Sequence, residues 1–286
     1  MSYEWKDYAE DIKLFEGLDK TVKPLTEEQK NKNIKTLITY FSSDVPAKVY
    51  SSKVELEPIE KLKALLAAYP VKKITPEILS MLENILLMEN DIENAVDANS
   101  IEEKEDRIAV WKGDITKIKA DAIVNDANSS LLGNRQPFHK GVDSKIHAAA
   151  GPRLREDCNT IIEKQGHIEY AGDAKITRAY CLPSKYVVHT VGPVVLGGNP
   201  SKEHEKQLLH CYKSVLNTVK DIDDIKTIVF CGISTGSSGY PKKEAAQLAV
   251  DRVRIWLKEN PEKDIKVIFN VYDDEEMEKY IKALER

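Results

Sequence analysis

The first 106 residues have no arginine, no cysteine and a single glycine, Gly17. They hold 14 lysines against 22 acidic residues, a net charge of −8, whereas residues 107–286 hold 28 basic and 25 acidic residues, a net charge of +3. Segments with such different residue usage indicate two folding units, which we place at residues 1–106 and 107–286. The apolar fraction of 42% is ample for a packed core in a chain of 286 residues.

Further absences exclude several classes of protein. No apolar run approaches the length of a membrane span, and the first seven residues, MSYEWKD, lack the basic and apolar regions of a signal peptide. The sequence therefore predicts a cytoplasmic protein with no membrane partner. The net charge of −5 and the lack of a Lys/Arg stripe interleaved with aromatic residues argue against nucleic acid as a main partner.

The cysteines form neither a disulfide framework nor a clustered metal motif. Cys158, Cys181, Cys211 and Cys231 are far apart, and no two of them form a C-x-x-C pair. A chain of this length does not depend on disulfides, and three of the four lie in apolar segments typical of helices or strands. We predict free thiols that pack as small hydrophobic side chains.

Residues 1–106 contain three helix start signals. Thr26, Pro58 and the pair Thr75-Pro76 each precede apolar residues at helical spacing. The charged residues 102–106 are interpreted as a solvated joint before the second domain. The apolar stripes predict a small helical domain whose core includes Ile34, Leu37, Ile38, Phe41, Ile59, Leu62, Leu65, Leu66, Tyr69, Ile78, Leu82, Ile85 and Leu86.

Strand-like and helix-like segments alternate in residues 107–286. Such alternation predicts an α/β domain whose mainly parallel sheet is covered by helices on both faces. Ligands in that architecture bind at the carboxyl ends of the strands. The predicted strands are 108–111, 122–125, 186–190, 227–231 and 266–271, and the predicted helices are 146–164, 203–220, 242–259 and 275–284.

A glycine-rich segment follows the strand predicted at 227–231. Residues 232–241 read GISTGSSGYP, and apolar residues at helical spacing begin directly after them. The backbone amides of such a turn and the positive end of the helix dipole form a cradle for a phosphate. The alternative is a plain turn, because glycines often follow strands. A nucleotide-dependent phosphotransferase is disfavoured because no lysine follows the glycines in the Walker arrangement.

Polar loops also flank the strand predicted at 122–125: GDIT at 113–116 and NDANSSLLG at 125–133. With VDSKIH at 142–147, YVVHTVGP at 186–193 and the STG loop, their order and spacing resemble the macrodomain family from about Arg107 to Arg286. The resemblance implies a three-layer α/β/α fold with a mixed, mostly parallel sheet. It also implies binding of ADP-ribose, free or attached to a mono-ADP-ribosylated protein.

The resemblance further implies which residues contact each part of ADP-ribose. Asp114 would accept the adenine amino group, with Ile115 beside the base and the strand end Phe269-Asn270 flanking it. The diphosphate would rest on the backbone amides of two loops, so alanine substitutions there are expected to have mild effects. The residues of these loops are Gly141, Val142, Ser234, Thr235, Gly236, Ser237, Ser238 and Gly239.

The helical extension and the long loop at 133–143 resemble zinc-dependent microbial macrodomains that accompany sirtuin-type ADP-ribosyltransferases. In that branch the loop supplies two cysteines and a histidine to the metal. Here Asn134 and Gly141 occupy the cysteine positions, and only His139 remains. A zinc site needs at least three protein ligands, so we predict no zinc and no other cofactor. His139 is then either an exposed or gating loop side chain, or a hydrogen-bonding partner of the ribose.

Asn128 and Asp143 match the residues that hold the distal ribose and a water in hydrolytic macrodomains. The chemistry requires the same types of residue, because cleavage of an ester at the anomeric carbon needs a nearby carboxylate. An amide suits two adjacent hydroxyls because it both donates and accepts hydrogen bonds. An aspartate at the start of a helix is also a common N-cap, so Asp143 has two compatible roles.

Ser238 stands where family members usually carry Phe or Tyr against the distal ribose. Its small side chain either widens the pocket or marks a domain that binds without turnover. Tyr240 is a candidate replacement for the ring, or else a core residue. Two functions remain open: a hydrolase that removes mono-ADP-ribose from protein carboxylates or deacetylates O-acetyl-ADP-ribose, and a non-catalytic reader of ADP-ribosylated protein.

Overall fold

A computed structural model describes residues 3–46 and 56–286. Before the sheet, three helices begin at the predicted signals, because Pro58 and Pro76 occupy the first turn and Thr26 caps with its side chain. Their apolar stripes meet in one buried cluster, which confirms the helical N-terminal part. The helices are α1 (Trp5–Tyr8), α2 (Glu27–Ser42), α3 (Pro58–Ala68) and α4 (Pro76–Asn90).

Thr26 allows the capping of α2 to be tested. Its hydroxyl oxygen accepts the amide of Gln29 at 3.2 Å, and the Gln29 side chain accepts the amide of Thr26 at 2.9 Å. We expect Thr26→Ala to lower the free energy of unfolding by about 1 kcal/mol, measured by urea denaturation. Thr36→Ala on the same helix is the control, because Thr36 lies inside the helix and its hydroxyl donates to the carbonyl of Lys32. Equal losses for the two variants would contradict the capping role.

The five predicted strands form the centre of the sheet, which has seven strands among the described residues. The strands are β1 (Val96–Asp97), β2 (Glu103–Glu105), β3 (Ile108–Lys112), β4 (Ile118–Lys119), β5 (Ala122–Asp126), β6 (Ala174–Arg178), β7 (Tyr186–Thr190), β8 (Thr227–Phe230) and β9 (Lys266–Val271). The sheet order is β2-β3-β9-β8-β5-β7-β6, and only the outer strands β2 and β6 run antiparallel to their neighbours. The strands β1 and β4 pair in parallel beside it.

Helices cover both faces of this sheet, as the alternation predicts. On one face, the rings of Phe230 and Phe269 pack on Tyr212, and Phe269 also stacks on Tyr280. On the other face, Asn125 of β5 contacts the first helix after it. The helices are α5 (Val142–Ala150), α6 (Pro152–Gln165), α7 (Lys202–Lys220), α8 (Lys242–Glu259) and α9 (Asp274–Leu284).

The structure differs from the predicted elements in several places. The helix predicted at 146–164 is two helices, because Gly151 takes a φ of 89° and Pro152 starts a new first turn. The charged segment at 102–106 is more than a joint, since β2 within it pairs with β3 at the sheet edge. The strand β6 has no counterpart in the prediction.

The N-terminal part also packs on the sheet domain. Tyr8, Ile12 and Leu14 are buried in the main core. The hydroxyl of Tyr8 accepts the amide of Ile176 in β6 at 2.8 Å and donates to its carbonyl at 3.2 Å. The two parts of the chain therefore share buried contacts. That residues 1–106 and 107–286 are separate folding units stays a prediction.

The cysteines match their predicted role. All four are buried and none forms a disulfide. In the part of the chain that the structure describes, no helix combines the length and apolarity that a membrane crossing requires.

Candidate active site at the carboxyl edge of the sheet

The carboxyl ends of β3, β5, β8 and β9 open into a cavity of about 1170 Å³. Such a volume is large enough to enclose a small-molecule ligand of considerable size. The cavity brings together twelve residues that the sequence predicts in the site. They are Asp114, Ile115, Asn128, His139, Gly141, Val142, Asp143, Thr235, Gly236, Ser237, Ser238 and Asn270.

The other four predicted residues do not line the cavity. Phe269 is fully buried, with its ring centroid 4.8 Å from that of Tyr280. Tyr240 is also buried, and its amide donates to the carbonyl of Ser234 at 2.9 Å. Ser234 and Gly239 adopt φ values of 62° and 77°, which bend the loop tightly. Tyr240 therefore takes the core position that the sequence left as one alternative.

Asp143 lies in the first turn of α5 and is held by two amides. Asn125 Nδ2 donates to Asp143 Oδ1 at 2.8 Å, and Asn128 Nδ2 donates to Oδ2 at 3.4 Å. The N-cap of α5 is Gly141, so the interpretation of Asp143 as an N-cap is wrong. Burial raises the pKa of Asp143, and the Asn125 bond and the charge of Arg155 oppose that shift.

A group of buried side chains with metal-ligating chemistry lies behind Asp143: His147, Cys158 and His189. Asn125 uses its Nδ2 for Asp143 and again for His189 Nδ1 at 3.2 Å, so His189 accepts there. We therefore assign the His189 proton to Nε2, which faces Thr177 Oγ1 at 3.0 Å and has no free lone pair for a metal. Burial lowers the pKa of His189 to about 3 and raises that of Cys158. The group is neutral and orients Asn125.

The loop between β5 and α5 does not supply a donor set for zinc. His139 Nδ1 lies 3.0 Å from Ser144 Oγ and accepts the amide of Gly141 at 3.1 Å. The side-chain oxygen of Asn134 accepts the amide of Gln136 at 2.9 Å. None of the four cysteines belongs to the loop: Cys158 packs beneath it against Leu131 as a buried apolar side chain, and Cys231 follows β8 on another side of the cavity. A single imidazole beside an amide does not fit zinc, which takes three or four thiolate, imidazole or carboxylate ligands.

One part of the cavity combines hydrogen-bonding groups with an aromatic ring. Asp114 Oδ1 accepts both the amide and the hydroxyl of Thr116, at 2.9 Å and 2.8 Å. Asn270 Nδ2 donates to the carbonyl of Gly113 at 2.9 Å, which fixes this turn against β9. Tyr272 is exposed beside it, with Lys145 Nζ 4.8 Å from its ring centroid. This arrangement is suited to a flat heterocycle with an amino group.

Several residues of the site were missed by the sequence analysis. Asn125 and Asp126 lie inside the motif at 125–133, so their positions could have been inferred from it. Glu169 lines the cavity and its Oε2 lies 2.8 Å from Lys175 Nζ, in a pair that is almost fully buried. The local sequence does not predict this pair, because the segment around Glu169 has neither helical nor strand periodicity.

Similarity to known proteins agrees with the cavity. The Macro domain family profile matches residues 124–249. A protein-ADP-ribose hydrolase of Staphylococcus aureus (strain MRSA252) is 40% identical over 228 residues, which cover 79% of this chain and 85% of the relative. The chain belongs to the macrodomain family. A protein-ADP-ribose hydrolase of Treponema medium is 43% identical to this macrodomain over 175 residues, 61% of the chain and 66% of the relative.

Solved macrodomains have the same fold. The Trypanosoma brucei macrodomain in complex with ADP-ribose is 28% identical, with a TM-score of 0.59, covering 81% of this chain and 97% of that one. The Oceanobacillus iheyensis macrodomain with ADP is 36% identical, with a TM-score of 0.55, covering 62% of this chain and 90% of that one. The predicted three-layer fold is therefore confirmed.

Proposed function

We propose that this macrodomain binds ADP-ribose and hydrolyses mono-ADP-ribose from carboxylate side chains of modified proteins. The observation that carries the proposal is the Asp143 carboxylate, held by Asn125 and Asn128 at the wall of the cavity. Relatives that are 40% and 43% identical are named protein-ADP-ribose hydrolases. A carboxylate fixed by two amides beside an open cavity is the arrangement that water activation requires.

The proposed reaction is attack of water on the anomeric carbon of the distal ribose. Asn128 holds the ribose hydroxyls, and Asp143 accepts a hydrogen bond from the water and takes its proton. The new bond joins the water oxygen to the anomeric carbon, and the bond from that carbon to the ester oxygen breaks. The side-chain carboxylate leaves with the bonding electrons. The products are free ADP-ribose and the restored acidic residue.

The rest of the ligand is proposed to follow the cavity. The adenine would lie beside Asp114, Ile115 and Asn270, while Phe269 supports that strand end from the core. The diphosphate would lie on the backbone amides of residues 236–238 and of Val142, because the amides of Ser234, Gly239 and Gly141 donate to Asp126, Gly236 and His139. The distal ribose would then reach Asn128 and Asp143. We further propose that the protein acts without zinc and in the cytoplasm.

The hydrolase is tested by following release of ADP-ribose. The purified protein is incubated with a protein that carries carboxyl-linked mono-ADP-ribose, in chelator and separately with added zinc, and the product is measured by mass spectrometry. We expect release at the same rate in both. No release, together with tight binding of ADP-ribose in the same samples, would indicate a non-catalytic reader of ADP-ribosylated protein instead. Release that depends on added zinc would refute metal independence.

Ser238 favours the alternative function, a non-catalytic reader of ADP-ribosylated protein, because a serine supplies no aromatic ring to pack on the ribose. Its carbonyl accepts the amide of Val195 at 2.7 Å, which joins the two loops at the cavity rim. Since an aromatic contact is worth about 0.5–1.5 kcal/mol, we expect Ser238→Phe to tighten ADP-ribose binding, measured by calorimetry, by up to about tenfold. Ser237→Phe is the control for a ring elsewhere in the loop. Unchanged or weaker binding in Ser238→Phe alone would show that the ribose does not pass this position.

A further inference from the structure

Asp126 is a carboxyl group that the proposed reaction does not use. It is the last residue of β5 and lines the cavity. The neighbouring Asn125 contacts Asp143 of α5. Because side chains alternate along a strand, Asp126 projects to the opposite face, toward the glycine loop.

The carboxyl of Asp126 joins two loops. Its Oδ2 accepts the amide of Ser234 at 2.9 Å. It also accepts a backbone hydrogen bond from Gly192, where an added Cβ would lie only 2.9 Å from Oδ1. Ser234 begins the loop over which the diphosphate is proposed to lie, and Gly192 begins the loop whose Pro193 and Val194 also line the cavity. An anionic ligand would therefore lie close to an acidic side chain.

The surroundings of Asp126 provide no cation. None of the ion pairs within residues 3–46 and 56–286 involves it, and Lys242 of the cavity wall lies 3.5 Å from Asp273 instead. Among the described residues, the titratable groups that interact electrostatically with Asp126 come from three elements: Asp143 from α5, Cys211 from α7 and Cys231 after β8. Burial raises the pKa of both thiols, so they are neutral.

Its location also disfavours the charged form of Asp126. Burial raises its pKa to about 6, against the two amide bonds that lower it, and the charge of Asp143 adds to the rise. In the free protein, neutral pH is therefore close to the pKa of Asp126. A diphosphate bound nearby would raise the pKa further, because like charges in a poorly solvated cavity repel.

We propose that Asp126 takes up a proton when ADP-ribose binds, so that this macrodomain couples ligand binding to pH through a carboxyl group under its phosphate loops. The inference rests on the proposed binding of ADP-ribose and goes beyond it. The proton moves from solvent to the Asp126 carboxylate, and no bond of the ligand changes. Affinity is then constant at pH values below the pKa of the free protein and falls as pH rises between the pKa values of the free and bound forms.

Calorimetry measures this uptake directly. ADP-ribose is titrated into the 286-residue protein at pH 6.0 to 8.0 in buffers that differ in ionisation enthalpy, and the slope of binding enthalpy against ionisation enthalpy gives the number of protons taken up. We expect a positive value that approaches one, and an affinity that falls by up to about tenfold per pH unit at the steepest point. The diphosphate is fully ionised throughout this range, so the ligand itself does not contribute.

Three variants assign the proton. Asp126→Asn should bind with no uptake, and its affinity should not change with pH. Asp143→Asn should keep the uptake. Asp121→Asn is the matched control, because Asp121 lies at the other end of β5 and likewise accepts two backbone amides, those of Lys226 and Thr227, at 2.8 Å and 2.9 Å. Asp121→Asn should also keep the uptake.

The outcomes separate the inference from the proposed function. Binding of ADP-ribose by the unmodified protein with no uptake at any pH overturns the inference and leaves the function intact. Uptake that persists in Asp126→Asn also overturns it, because the proton then goes to another group. Uptake that persists in Asp126→Asn and disappears in Asp143→Asn assigns the proton to Asp143 instead. Failure of the unmodified protein to bind ADP-ribose refutes the function itself.

Discussion

Replacing Asp143 by Asn is expected to slow the release of ADP-ribose from a carboxyl-modified protein by about 10²- to 10⁴-fold, the usual contribution of a general base. The amide has the shape of the carboxylate but cannot take a proton from water. It can still accept the bond from Asn125 at one oxygen, so the cavity should keep its form. Binding of ADP-ribose should therefore change by much less than the rate.

The pH dependence of the rate gives a second measurement on Asp143. Because burial raises the pKa of this group, the active carboxylate should be lost at a higher pH than for an exposed aspartate. We expect kcat to fall as the pH is lowered through that raised pKa. The residual activity of Asp143→Asn should show no such fall. Asp274→Asn is a suitable control, because Asp274 pairs with Lys112 at the surface. A variant of Asp143 with the original rate would exclude the residue from catalysis.

Replacing Arg155 by Ala is expected to lower the free energy of unfolding by about 3–5 kcal/mol. Arg155 is only 5% exposed. Burial lowers its pKa to about 10, so the guanidinium is still charged at neutral pH. Its removal leaves four buried or partly buried carbonyls without this donor, at the end of α3 and in the loop before α5. These carbonyls belong to Leu66, Ala67, Tyr69 and Leu132, at 3.0, 3.2, 2.8 and 2.8 Å.

Thermal unfolding measures the loss, and a melting temperature lower by at least about 6 °C is expected for a chain of this size. The neighbouring Arg153→Ala is the matched control on the same helix. Arg153 pairs with Glu83 at 2.7 Å through side chains that are 28% and 26% exposed, so its loss should cost only about 1 kcal/mol. Similar losses in both variants would show that the four carbonyls contribute little.

The parts of the fold that the sequence predicts are those with strong local patterns. The strands β5, β7, β8 and β9 each contain three consecutive apolar residues, and the glycine-rich segment at 232–239 follows shortly after β8. The strand β6 was not predicted because it places Lys175 and Thr177 in the interior. Their partners, Glu169 and His189, are on other segments, and a single sequence does not show which distant side chains compensate a buried polar group.

The same limit applies to the candidate site. The loops were placed correctly at the carboxyl edge because strand ends and turn residues are local features. The direction of a side chain on a strand that is buried on both faces is not a local feature. Apolar residues then occupy the positions that point to either face, so the sequence pattern does not distinguish the two. Phe269 and Asn270 were therefore treated together, although Phe269 lies in the core and Asn270 in the cavity. The bonds from Asp126 to two loops depend likewise on the folded arrangement.

The end of α3 has a practical consequence for any shortened form of the protein. Arg155 of α6 and Arg135 of the loop before α5 both donate to carbonyls at that helix end, Arg135 to Ala68 at 3.3 Å. A fragment beginning at residue 107 would keep the whole segment matched by the family profile, yet leave both guanidinium groups without these acceptors. Weak activity in such a fragment would then follow from the loss of the contacts that hold the loop before α5. It would not show whether the removed helices recognise substrate.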